Sequence, residues 1–295
     1  MPHVPVLLNE IIELLQPRPG DFIIDGTVDG GGHAAAIMER IMPYGMFLGV
    51  DWDRAMIRAR EANRQYGNHE RYVAGNYADL AAIMAREKLA KADGLLLDLG
   101  FSSEQLALAG RGFSFGEESQ DEPLRMTYDE ARTPIAEIIR TLGEEELADV
   151  IFKFGGERLS RKIAHAIKER GRKRAIATSG ELAEIVRGAV PKSYERGRID
   201  PATRTFQALR IYANDELGNL ARVASDLKKI LKPGGRVAII SFHSLEDRIV
   251  KQSFQKSAKE EHIKILTKKP VTPSREEIAK NPRSRSAKLR GAMIL

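Results

Sequence analysis

The chain contains no cysteine. That removes disulfides, thiolate metal sites and a cysteine nucleophile, and it suits a reducing, cytoplasmic setting. Nor is there an apolar run of about eighteen residues, the length that signals a membrane-crossing helix. The opening MPHVPVLLNEII lacks the basic stretch and cleavage site of an export signal, so neither secretion nor membrane insertion is expected. Histidines number only six, none at ligand spacing with other histidines or acids, and no metal site is expected.

What is present is a soluble, globular composition: 295 residues, 42% hydrophobic and 30% charged, long enough for one elaborated domain or two. The charge is unevenly spread. Residues 251–295 carry a net of +8 out of a total of +6, leaving the remainder at about −2. A second basic cluster runs from Lys153 to Arg174 and includes Arg158, Arg161, Lys162, Lys168, Arg170, Arg172 and Lys173. Two patches of one sign point to a polyanionic partner such as RNA, with a solvated surface as the plainer alternative.

The most informative stretch is Phe22 to His33, FIIDGTVDGGGH. A short apolar run ends in Asp25 and opens into a glycine loop, and a helix is expected to follow from about Ala34. Such a strand–loop–helix unit cradles small molecules, because glycine lets backbone N–H groups approach a ligand closely. Asp51 ends the next apolar run, GMFLGVD, about twenty residues on, where this architecture sets an acid against ribose hydroxyls. A dinucleotide fingerprint would begin its glycines directly after the strand. Here Asp25 stands in that place, where it would repel a pyrophosphate but accept a sulfonium or amine. S-adenosylmethionine offers both groups and no phosphate.

Four apolar runs, FIIDG, MFLGVD, RYVAGN and GLLLDLG, end in polar or glycine loops, with helical patterns at about 34–41, 53–65 and 78–89. This alternation predicts a parallel sheet with binding loops gathered at the strands' carboxyl ends. After Gly100 it stops for a hundred residues that read as helices, then resumes with RVAIISF. The expected organisation is an α/β domain formed by 1–103 and 205–295, interrupted at 104–204 by an inserted helical domain for substrate recognition. Thr178 and Glu181 form a capping box within the insert. One long helix is expected from Pro201, with a core stripe running from Phe206 to Leu231 and Pro233-Gly234-Gly235 ending it. Thr203, Gln207, Arg210 and Asn214 make a polar stripe on it that could read a substrate. HIKILTK and AKLRGAMIL are expected strands completing the sheet.

Chemistry concentrates at two further strand ends. Asp98 and Phe101 in LLLDLGFSSEQ occupy the outer positions of the Asp/Asn-Pro-Pro-aromatic register of enzymes that methylate exocyclic base amines, with Leu99-Gly100 in place of the prolines. An acceptor there would engage the amine N–H and help localise its lone pair. Asp98 as a cofactor contact or as a turn cap are equal alternatives. His243 follows the strand RVAIISF, where it could contact a base or accept a proton, with a structural hydrogen-bonding residue as the plainer alternative. Methylation of pyrimidine carbon 5 requires thiolate attack, which this chain cannot supply, so an amine or hydroxyl acceptor is preferred.

The segments HVPVLLNE, DGTVDGGGH, LLLDLGFSSEQL, RGFSF, PATRTFQALRI, LKPGGRVAIISFHSLEDRIVK and NPRSRSAKLR, in that order from His3 to Arg290, resemble the bacterial RsmH (MraW) family. The resemblance implies a class I, Rossmann-like S-adenosylmethionine-dependent methyltransferase fold. It also implies N4-methylation of a cytosine in the decoding region of 16S ribosomal RNA, with the small ribosomal subunit as partner. The cofactor contacts it implies are Gly31, Gly32, His33, Asp51, Tyr77, Asp98 and Gln105. Asn214 and His243 are this reading's own candidates for orienting the base. Two segments depart from the family pattern: PLRMTYD, from Pro123 to Asp129, where PLDMRMD is usual, and Asp200, where histidine is common. A diverged member acting on another RNA amine and a non-catalytic cofactor-binding assembly factor are the rival readings. Oligomeric state is left open.

Overall fold

The computed structural model describes residues 5–28, 30–99, 110–194 and 199–295. Two compact units make up the chain: Met1–Ser102 with Leu217–Leu295, and Ser103–Glu216.

The first unit is built on seven strands: β1 (Phe22–Asp25), β2 (Met46–Asp51), β3 (Glu70–Ala74), β4 (Ala92–Asp98), β5 (Leu231–Ser241), β6 (Ile263–Ile265) and β7 (Lys288–Ile294). Their order in the sheet is β3-β2-β1-β4-β5-β7-β6. Strands β1 to β5 run parallel, and β7 lies antiparallel between β5 and β6. This is the Rossmann-like class I methyltransferase arrangement. Chain direction across the sheet reverses between β1 and β4, so the loops that follow these two strands part and leave a crevice at their carboxyl ends.

Alternation along the strands builds two cores, because successive side chains point to opposite faces. Ile23, Phe47 and Leu96 pack with Ile11 and Leu15 of α1 (Leu8–Leu15) and with Ile37, Met38 and Ile41 of α2 (Gly32–Ile41). Ile57 of α3 (Arg54–Ala62) joins that layer. Ile24, Leu48, Leu95 and Leu97 face the other way, against Leu80 and Ile83 of α4 (Leu80–Arg86) and against residues that follow the second unit. Both layers are dry, which is why the central strands read as nearly unbroken apolar runs.

The second unit is helical: α5 (Ile135–Thr141), α6 (Glu144–Gly155), α7 (Ser160–Lys173), α8 (Ser179–Ala189) and α9 (Ala202–Asn214). Its own core joins Ile135, Ile139, Leu147, Ile151, Ile163, Ile167, Leu182, Phe206 and Leu209. The expected capping box forms, with Thr178 accepting from the Glu181 N–H and the Glu181 carboxylate accepting from the Thr178 N–H at 3.3 Å. The unit runs through Glu216, past the boundary at 204 set from sequence, because Phe206 and Leu209 of α9 belong to this core.

The single long helix expected from Pro201 is instead three pieces: α9, α10 (Glu216–Ser225) and α11 (Leu227–Ile230). Asp215 takes a left-handed φ of 51° and breaks the run, a conformation that Asp tolerates better than most residues. Leu231 and Pro233-Gly234-Gly235 lie in β5, not at a helix end. Both segments expected to complete the sheet do so, as β6 and β7.

Leu97 is fully buried where β4 meets β1 and α4. Leu97→Ala should lower unfolding free energy by about 2–5 kcal/mol. Chemical denaturation would read it, and a loss under about 1 kcal/mol would mean that this strand is not central to the core.

Candidate cofactor and substrate sites

The carboxyl ends of β1, β2 and β4 each carry an aspartate, Asp25, Asp51 and Asp98. Thr27 ties the first to the third. Its hydroxyl donates to Asp25 Oδ1 at 3.3 Å and accepts the Asp98 backbone N–H at 2.7 Å. Its own N–H donates to Asp25 Oδ1 at 3.0 Å. Asp25 is buried, and burial pushes its carboxyl up to about 7; the hydrogen bonds from Thr27 pull against this, while Asp98 and Asp51 add to it. A buried acid flanked by two more acids is a perturbed group of the kind that marks a candidate functional site.

Gly31 and Gly32 lie at the start of α2, Gly31 as its N-cap with a left-handed φ of 75°. Protein groups already crowd both glycines. A Cβ at Gly31 would run into the Arg60 guanidinium, and one at Gly32 would stand 3.1 Å from the Pro5 ring. Arg60 also donates to the Gly30 carbonyl. The loop is thus threaded between protein groups, and its conformation is what glycine supplies.

His33, buried in the first turn of α2, has Nε2 at 2.9 Å from the Val6 carbonyl. A carbonyl only accepts, so Nε2 donates, and Nδ1 is turned toward Asp98 at 3.8 Å. Asp51 Oδ1 accepts the Asp53 N–H at 2.8 Å. Tyr77, in a short turn after β3, sets its ring 6.5 Å from Trp52, the chain's single tryptophan. Gln105 and Phe101 lie outside the described residues.

Sequence pattern does not single out Thr27, Trp52, Arg60, or the buried pair Asn76 and Asn219. Asn76 Oδ1 accepts the Ala78 N–H at 2.9 Å, setting the turn that carries Tyr77, and its Nδ2 donates to Asn219 Oδ1 at 3.0 Å.

His243 is the N-cap of α12 (Ser244–Lys259). Its Nδ1 accepts the Glu246 N–H at 3.4 Å, while Nε2 lies 3.2 Å from Glu246 Oε1. Asn214 belongs to the second unit and is fully buried. Its Oδ1 accepts the Tyr128 N–H at 2.9 Å, and its Nδ2 donates to the carbonyls of Met126 at 2.8 Å and Arg210 at 2.9 Å. Tyr128 in turn stacks on Phe113 and donates to Glu216, which Arg210 grips with two hydrogen bonds. So the polar stripe of α9 divides: Thr203 is exposed, but Arg210 and Asn214 secure the divergent PLRMTYD segment. Asp200 accepts the Ala202 N–H at 2.8 Å and pairs with Arg187 at 2.9 Å.

Because the folded state holds the Asp25 proton to about pH 7 and the unfolded chain releases it near 3.8, the native state binds more protons between these limits. Stability therefore falls as pH rises through this window. Asp25→Asn keeps an acceptor for Thr27 and should remove that fall. Melting temperatures of parent and variant should diverge in the variant's favour from about pH 4 to about pH 7. Parallel profiles would mean that Asp25 ionises normally.

The MraW methylase family profile matches residues 1–294. The ribosomal RNA small subunit methyltransferase H of Syntrophus aciditrophicus (strain SB) is 46% identical over 307 residues, spanning 98% of this chain and 96% of its own. The protein of the same name from Deinococcus deserti is 46% identical over 291 residues, spanning 98% and 92%. Likeness at this level over essentially the whole length leaves no part of either unit outside the match, and the chain belongs to the MraW methylase family.

Proposed function

We propose that this protein is an S-adenosylmethionine-dependent methyltransferase that methylates N4 of a cytosine in the decoding region of 16S ribosomal RNA, within the small subunit. Membership of a methylase family whose relatives bear small-subunit rRNA methyltransferase names supports the reaction and substrate class. The observation that carries the cofactor is the set of acids at the sheet's switch point, with Asp25 buried among them. That environment suits a cationic, phosphate-free nucleoside. S-adenosylmethionine, when bound, supplies a methyl group made electrophilic by its sulfonium.

The chain's residues divide the work. Asp51 holds ribose hydroxyls at the end of β2, and Tyr77 borders the adenine. Gly31, Gly32 and His33 shape the loop, and Arg60 beside it suits an amino-acid carboxylate. Asp98 and Gln105 complete the cofactor set. The target cytosine is drawn out of its stack, at a cost of a few kcal/mol. His243 orients the flipped base. Asn214 is a positioning residue, acting through the segment Met126–Tyr128 that its amide secures. Basic side chains of α7 and of the C-terminal segment hold neighbouring phosphates, so binding weakens steeply with salt. No helix among the described residues is long and apolar enough to cross a membrane.

Tritium transfer from labelled cofactor to small-subunit RNA, followed by mass spectrometry of the modified nucleotide, tests the reading. A methyl group on N4 of a decoding-region cytosine is expected. A methyl elsewhere would favour the diverged enzyme, and no transfer in any assembly state would favour the assembly factor. Asp51→Ala should weaken cofactor binding at least about tenfold, on the scale of a charge-assisted hydrogen bond, while RNA affinity holds. The fluorescence of Trp52 offers a direct binding signal. Lost RNA affinity with intact cofactor binding would overturn the assignment of Asp51.

A further inference from the structure

A cleft of about 710 Å³ opens in the second unit between α5 and the C-terminal half of α7, and the functional reading above leaves it unused. Its volume falls within the ~300–1,000 Å³ span of small-molecule clefts. The floor is apolar, set by Ile139, Ile167 and Ile176. The rim is cationic, with Arg140, Lys168 and Arg172 against the single acid Glu137, which Arg140 meets at 3.6 Å.

Two features show that this is more than a gap beside a basic helix. Lys168 Nζ is fixed by the carbonyls of Ile139 at 2.8 Å and Arg140 at 3.1 Å, where α5 ends. Burial, and then the neighbouring Arg172, hold its ammonium below the usual range. Arg172 itself has no ion pair among the described residues. The cations at this rim crowd one another, and an anion would relieve them. The second feature is Gly171. It sits inside α7 with no left-handed φ, and a Cβ there would meet nothing within 4 Å. Neither conformation nor packing calls for glycine, and it costs the helix about 1 kcal/mol relative to alanine. Its effect is to leave the cleft wall bare.

We propose that this cleft receives an unstacked base of the substrate RNA against its apolar floor, with the adjoining phosphate held by Arg140 and Arg172, an inference that rests on the RNA-methylating reading above. RNA is favoured over a protein partner by the excess of cations, because Arg161, Lys162 and Arg170 on the same helix are likewise without ion pairs among the described residues. Lys168 engages the carbonyls of Ile139 and Arg140, and the floor beside them is made of isoleucine side chains. The floor therefore holds a base by contact and shape instead of reading its hydrogen-bonding edge.

Gly171→Phe fills the cleft from a position with open space around it. Methyl transfer to small-subunit particles should then show a KM for RNA raised at least about tenfold, with kcat, cofactor affinity and melting temperature retained. Arg172→Gln should lower the slope of log affinity against log salt by about one, whereas Gly171→Phe should weaken binding at an unchanged slope. A folded Gly171→Phe protein with the parental KM would overturn the proposal and leave the functional reading standing. If the parent protein transfers no methyl group to small-subunit RNA, that reading falls and the cleft's assignment falls with it. Should Gly171→Phe fail to fold, Ala175→p-benzoylphenylalanine at the rim decides the matter. Photo-cross-links to rRNA support the inference, and cross-links only to a ribosomal protein, or none, overturn it.

Discussion

The structure of the first unit turns on a buried carboxyl, that of Asp25, whose surroundings disfavour its ionised form. Asp25 could not be kept ionised in a dry core without help, and Thr27 gives only part of it through hydrogen bonds from its N–H and hydroxyl. Asp98 and Asp51 make matters worse. A fold gains nothing from such an arrangement for its own sake, since removing an unpaired buried charge generally stabilises. Asp25 stands where a cation nearby would favour its ionised form. The strand order enforces that placement: β2, β1 and β4 are neighbours in the sheet, so the residues ending them cannot be far apart.

Much of this was legible in the sequence because it depends on local pattern. Apolar runs ending in Asp25, Asp51 and Asp98 marked three strands and their carboxyl ends, and the capping box at Thr178 marked a helix start. What stayed hidden depends on long-range contact. Nothing near Gly31 tells that Arg60, from the far end of α3, fills the space beside it. Nothing near Asn76 announces Asn219, more than a hundred residues on. The helix from Pro201 carried an apolar stripe that continued past its true end, and a periodic pattern cannot reveal one left-handed residue at Asp215. Asn214 shows the same limit from the other side. Its place on a polar stripe suggested outward display, whereas the fold turns it inward to hold Met126 and Tyr128.

The second unit uses its polar residues differently. Around PLRMTYD, Asn214, Arg210, Glu216 and Tyr128 form one connected hydrogen-bonded group. Buried networks of this kind fix a single backbone course when fully satisfied. Met126, held at a φ of 54° with its side chain buried, needs such support. On α7 the balance is reversed: Arg161, Lys162 and Arg172 form no ion pair among the described residues, while Lys173 meets Glu169 at 3.1 Å.

Charge also explains why one nucleotide-binding architecture chooses between cofactor classes. A pyrophosphate at the carboxyl ends of β1 and β4 would set negative charge beside Asp98 and would drive Asp25 further toward its neutral form. Unit charges about 5 Å apart repel by about 3 kcal/mol at an effective dielectric constant near 20, and each further acid adds to that. The same geometry with a sulfonium reverses every sign. The glycine loop alone cannot make this distinction, because its backbone serves either ligand. The decision lies in the residue that closes β1, and in this chain that residue is an acid held in a dry core.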